Sequence, residues 1–121
     1  MHDVIYKLKS RWKDRSSPVF QGYRYASSRE AATAVGLQEM KDNGEIKSWS
    51  RQPLVRLYIY GQYICDYKLD FEVIHNPDSR WERELIEVKK GMFGSEWRRK
   101  WKILEAVYTK EHPEVRLTLI R

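Results

Sequence analysis

From Leu54 to Lys90 the chain reads as strands, and that stretch limits the possible folds more than any other. Val55, Leu57 and Ile59 alternate with polar residues, the period of a half-buried strand. Gly61-Gln62 interrupts the run, and a second strand continues through Tyr67-Lys68-Leu69-Asp70-Phe71 to Ile74. His75-Asn76-Pro77-Asp78-Ser79 gathers turn-forming residues, after which a third strand is expected from about Glu84 to Lys90. A turn between Asp78 and Ser79 pairs residues whose numbers sum to 157, which sets Asp70 opposite Glu87 with Cβ atoms roughly 5 Å apart. Side chains alternate between faces along a strand, so Glu87 and Lys89 project together, away from Ile86 and Val88. Asp70 shares a face with Lys68 and Glu72, and this polar face is expected to carry the chemistry. Two facing carboxylates repel; a hard cation such as Mg²⁺, which takes one or two carboxylates and keeps several waters, would reverse that.

Helices bracket the strands. Ser27-Ser28-Arg29-Glu30 fits a capping box and Asn43-Gly44 a C-terminal stop, which predicts a helix over 28–42. Its apolar positions, Ala31, Ala34, Val35 and Met40, predict packing along one narrow stripe. A second helix is expected from Ser95, where Trp97, Trp101, Leu104 and Tyr108 recur at helical spacing, and Pro113 ends it. Its other side carries Arg98, Arg99, Lys100 and Lys102. Val115 to Leu119 then alternates as a closing strand.

The chain has 121 residues, enough for one domain with a small core. With 23 Lys and Arg against 17 Asp and Glu its net charge is +6, so a polyanion is a plausible partner. Residues 1–26 read as a basic arm, with Ile5, Leu8 and Trp12 at helical spacing and cations including Arg11 and Lys13 around them. The lone Cys65 excludes an internal disulfide and a four-cysteine zinc site, and His2, His75 and His112 lack metal-ligand spacing. No apolar run approaches the ~18 residues of a membrane span and the N-terminus has no secretion-signal pattern, so an intracellular, cytoplasmic protein without membrane association is expected.

Several short pieces, taken in order, resemble one family. These are Ser28-Arg29-Glu30-Ala31, Asn43-Gly44-Glu45-Ile46, Gln52-Pro53, Tyr67-Lys68-Leu69-Asp70-Phe71, Ile86-Glu87-Val88-Lys89-Lys90-Gly91 and the Trp101-Lys102 helix leading to Tyr108 and Pro113. The pattern is similar to the PD-(D/E)XK nuclease superfamily, and within it to small phage-encoded nuclease-like proteins related to Holliday junction resolvases and phage endonuclease I. The resemblance covers residues 27–121. It departs from the family at Leu69, where Pro or Ala is usual.

The resemblance implies an α/β, restriction-endonuclease-like core, a central mixed sheet flanked by helices in the order αβββαβ. It also implies that Asp70, Glu87 and the carbonyl of Val88 bind Mg²⁺ or Mn²⁺, that Lys89 orients or helps deprotonate the attacking water, and that Glu30 completes the site. Gln52 and Asp66 are auxiliary candidates, Asp66 alternatively being an exposed strand acid. Lys90, Arg98, Arg99, Lys100, Lys102, Arg11 and Lys13 are candidate DNA contacts. The implied function is a metal-dependent DNA endonuclease, selective for branched or distorted DNA such as Holliday junctions, acting as a homodimer in phage or prophage DNA processing in the host cytoplasm. The alternatives are an inactive DNA-binding or phage assembly protein on the same fold, a surface ion-pair ladder at Asp70, Glu87 and Lys89, and a protein-interaction module using the tryptophans.

Overall fold

The computed structural model describes residues 17–89 and 94–121, together with Leu8. Arg11, Lys13 and Lys90 lie outside the described residues. The fold is mixed α/β. Two short strands, β1 (Val19–Phe20) and β2 (Tyr23–Arg24), precede helix α1 (Ser28–Asp42). Strands β3 (Ser48–Arg51), β4 (Leu54–Ile59), β5 (Gln62–Lys68), β6 (Phe71–Ile74) and β7 (Arg83–Val88) follow. Helix α2 (Ser95–Ile103) runs on through a π-helical segment, Leu104–Tyr108, into a last turn, α3 (Thr109–Glu111), and β8 (Val115–Ile120) closes the chain.

Helix α1 has the bounds its caps predict. The Ser27 hydroxyl accepts the amide of Glu30 at 3.1 Å, and Gly44 takes the left-handed φ of +75° just past the helix. Its buried face is wider than the narrow stripe expected: Ala31, Ala32, Thr33, Ala34, Gly36, Leu37 and Met40 are all buried. Small side chains let the helix lie close to the sheet, so even its flanks lose contact with water.

The four-stranded sheet has the order β3-β6-β7-β8, antiparallel except for the parallel pair β7 and β8. Strands β6 and β7 pair Phe71 with Ile86 and Val73 with Glu84, the expected register. The three-strand meander is corrected, however. Five strands stand between the helices, and β4 and β5 form a sheet of their own. The expected strand through Asp70 stops at Lys68 and resumes at Phe71.

The interruption has a backbone cause. The pairings of β3 with β6 and of β4 with β5, up to Leu57 and Cys65, share one register. The ribbon is therefore a single long hairpin, bent where Gln52-Pro53 faces Leu69-Asp70. Pro53 has no N–H to give the ladder, and Gln52 adopts a φ of +53°, a region unfavourable for a residue with a side chain. Hydrogen bonds from Gln52 N to Asp70 O (2.9 Å) and from Leu69 N to Pro53 O (3.1 Å) bridge the bend.

Apolar clusters cover both faces of the sheet. On one, Phe71, Val73, Ile86, Val88 and Ile120 pack against Ala31, Ala34, Leu37 and Met40 of α1. On the other, Leu85 and Val115 meet Trp101 and Leu104 together with Val55, Leu57, Tyr67 and Leu69 of the bent hairpin. The face carrying Glu87 is thus covered, not open to solvent as a polar face would be. A strand paired in parallel through a crossover helix has that helix on one of its faces. Before α1, Tyr25 is buried, Phe20 and Tyr23 pack on the α1-side core, and Leu8 is fully enclosed by it. No helix among the described residues is long and apolar enough to cross a membrane.

Candidate active site

Where the hairpin bends, Asp70 leaves the ladder and turns its side chain back towards β7. Its Oδ2 accepts the amide of Val88 at 2.7 Å, while its own amide donates to Ile86 O at 3.1 Å. This clamp brings the carboxyl of Asp70 close to that of Glu87, near enough to disfavour its ionisation.

Glu87 is only 4 % exposed. Its Oε2 accepts from the Tyr67 hydroxyl at 2.9 Å and the Trp97 indole N–H at 3.0 Å. Burial, reinforced by Asp70, pushes its pKa up to about 8 despite those two donors. Burial and the nearby Glu87 charge raise the Tyr67 phenol as well, which keeps it a donor. Such deep burial excludes the surface ion-pair ladder.

Lys89 follows on the same strand line. Its amide holds Ile120 O at 2.8 Å, and its ammonium stands 5.1 Å from the centre of the Trp97 ring, itself stacked on Trp101 at 5.3 Å. Glu30 approaches from the first turn of α1. Burial, then the charge of Asp70, lift its pKa to about 7, while a hydrogen bond from the Ala26 backbone and the charge of Lys89 act the other way. Glu30, Gln52 and Asp70 line one pocket of about 110 Å³, with Tyr23, Tyr25 and Arg51 on its walls. The Arg51 guanidinium lies 3.7 Å from the Tyr23 ring centre, and its charge acts against the burial that raises the Tyr25 phenol.

Comparison of the chain with protein-family models, with curated proteins and with solved structures returned no match.

Glu30, Gln52, Asp70, Glu87, Val88 and Lys89, which come from four separate stretches of sequence, therefore adjoin one another. Asp66 does not join them. It sits half-buried on β5 opposite Arg56, its Oδ1 3.9 Å from the guanidinium Nε and buried without a hydrogen bond. Arg98, Arg99 and Lys102 are exposed on α2, and Lys100 lies 3.7 Å from Glu96. Sequence reasoning missed Tyr67, Trp97 and Arg51. Tyr67 and Trp97 read as core residues by periodicity, and nothing local in the sequence marks the polar end that each turns to Glu87. Among the described residues no group of three or more His, Cys, Asp or Glu side chains is arranged to hold a metal.

Proposed function

We propose that this chain is a divalent-metal-dependent DNA endonuclease on a restriction-endonuclease-like core, acting on branched or distorted DNA. The observation that carries the reading is the pairing of the buried Glu87 carboxyl with the half-buried Asp70, Asp70 held by the Val88 amide and Glu87 by Trp97, over whose ring Lys89 stands. Its donor chemistry fits Mg²⁺ or Mn²⁺, since a hard dication relieves the repulsion between two carboxylates and needs no third one if waters fill its shell. Asp70, Glu87 and the Val88 carbonyl would hold it. When bound, such an ion lowers the pKa of a water and polarises a phosphoryl oxygen.

The remaining groups have roles set by charge and place. Lys89 orients the attacking water and steadies negative charge gathering on the phosphate. Glu30, with a pKa of about 7, is poised to accept that water's proton near neutral pH. Arg51, placed over the Tyr23 ring and lining the same pocket, would pair with a phosphate oxygen there. Arg98, Arg99 and Lys102 would follow the backbone without reading bases, the mode suited to recognising shape. Pairing of two copies would let each cut one strand of a junction.

Incubating supercoiled plasmid with Mg²⁺, Mn²⁺ or EDTA tests the reading, with a four-way junction beside matched duplex to test selectivity. Nicking that needs the ion and disappears in Lys89→Ala is expected. Binding without cutting in either ion would overturn it in favour of an inactive DNA-binding protein.

A further inference from the structure

We propose that the cavity at the opposite end of the sheet, floored by His75 and Glu84, is a second binding site, for a small organic cation of the amine or guanidine type. It lies among the C-terminal end of α1, the loop between β6 and β7 and the start of β8, and its volume of about 370 Å³ suits a small ligand. The proposal uses none of the nuclease residues.

Its floor is a built polar group. Glu84 is fully buried, with Thr118 donating its hydroxyl to one carboxylate oxygen and His75 Nε2 standing 2.8 Å from the other. His75 Nε2 is committed to Glu84, which leaves Nδ1 as the ring nitrogen not used in that contact. The His75 side chain is 10 % exposed and lines the cavity. The carboxyl oxygens of Glu84, which also lines the cavity, accept hydrogen bonds and so favour a ligand with an N–H or O–H to give.

The walls narrow the choice. Met40, Ile46 and Trp81 supply apolar surface, and the charged groups lining the cavity among the described residues are Glu45, Asp78 and Glu84 against Arg116. That balance is negative, so phosphate and other anions are disfavoured while a cation is attracted. A donor-rich cation with a short apolar body satisfies the walls and the floor together. Its amine or guanidine group is the same whether it belongs to a free small molecule or to a basic side chain of another protein.

Calorimetric titration of the full chain with agmatine, set beside inorganic phosphate and a short arginine-containing peptide, tests the site. Saturable binding of agmatine is expected, with no heat from phosphate. Asp78→Asn and His75→Gln should each weaken it about tenfold, the size of one charge-assisted hydrogen bond. Asp78 is exposed, so Asp78→Asn remains a clean test if His75→Gln perturbs folding. Lys89→Ala should leave it unchanged. Tighter binding of the peptide assigns the cation to a protein partner; tighter binding of agmatine assigns it to a free ligand. No saturable binding of either guanidine, equal binding of phosphate, or an affinity untouched by Asp78→Asn would overturn the proposal.

Discussion

Two glutamates on β7, three residues apart, are buried to nearly the same degree and placed in opposite company. Glu84, at 0 % exposure, meets a histidine and a threonine hydroxyl; Glu87, at 4 %, meets another carboxyl. The first arrangement satisfies a buried acid. The second leaves an excess of negative charge that only a proton or a cation removes. Burial alone therefore does not distinguish the two acids. What each one faces does: hydrogen-bonding groups at Glu84, a second acid at Glu87.

The hardest test of that contrast is catalytic. Lys89→Ala should lower Mg²⁺-dependent plasmid nicking at least about a hundredfold, since it removes the charge that steadies the reacting phosphate, and circular dichroism should show an unchanged fold. Asp78→Asn, at the other end of the sheet, should leave nicking intact.

Stability gives the second test. Glu87 in the folded protein holds its proton up to about pH 8, whereas in the unfolded chain it loses it near 4.5. The folded state binds more protons between those values, so its stability in EDTA should fall as pH rises from 4.5 to 8. Glu87→Gln should flatten that slope in thermal melts and raise the melting temperature at pH 8. If Glu87→Gln destabilises the protein throughout this range, the acid pair is not the strained element described here.

His75→Ala should act in the opposite direction. It takes away the partner of a fully buried carboxylate and should cost roughly 1–3 kcal/mol in urea denaturation. The smallest effect is expected at Asp66, whose pairing with Arg56 is solvent-exposed: Asp66→Asn should change stability by less than about 1 kcal/mol. A large loss of nicking in Asp66→Asn would move that residue into the site.

How much of this was legible before the coordinates depends on the range of the interaction involved. Ser27, Glu30 and Asn43-Gly44 mark α1 because caps are made within a few residues, and the β6–β7 register follows from the turn-forming cluster at 75–79 because a turn sets the pairing of the strands it joins. That register sets Asp70 level with Glu87 just beyond the last paired residues, Phe71 and Ile86. The bend does not follow from it. Gln52-Pro53 shows a place where the ladder fails, but its facing partner, Leu69-Asp70, becomes visible only when both arms of the hairpin are paired.

The sequence by itself determined the ends of α1, the alternation of buried and exposed residues along β4 and the register of β6 against β7, since each follows from backbone geometry over neighbouring residues. Tertiary structure decided that α2 covers the Glu87 face, that Tyr67 and Trp97 turn their polar ends to its carboxylate, and that Glu84 finds His75 and Thr118. Those contacts join residues up to 34 apart in the chain, and their energies arise only once distant surfaces have packed and water has been excluded.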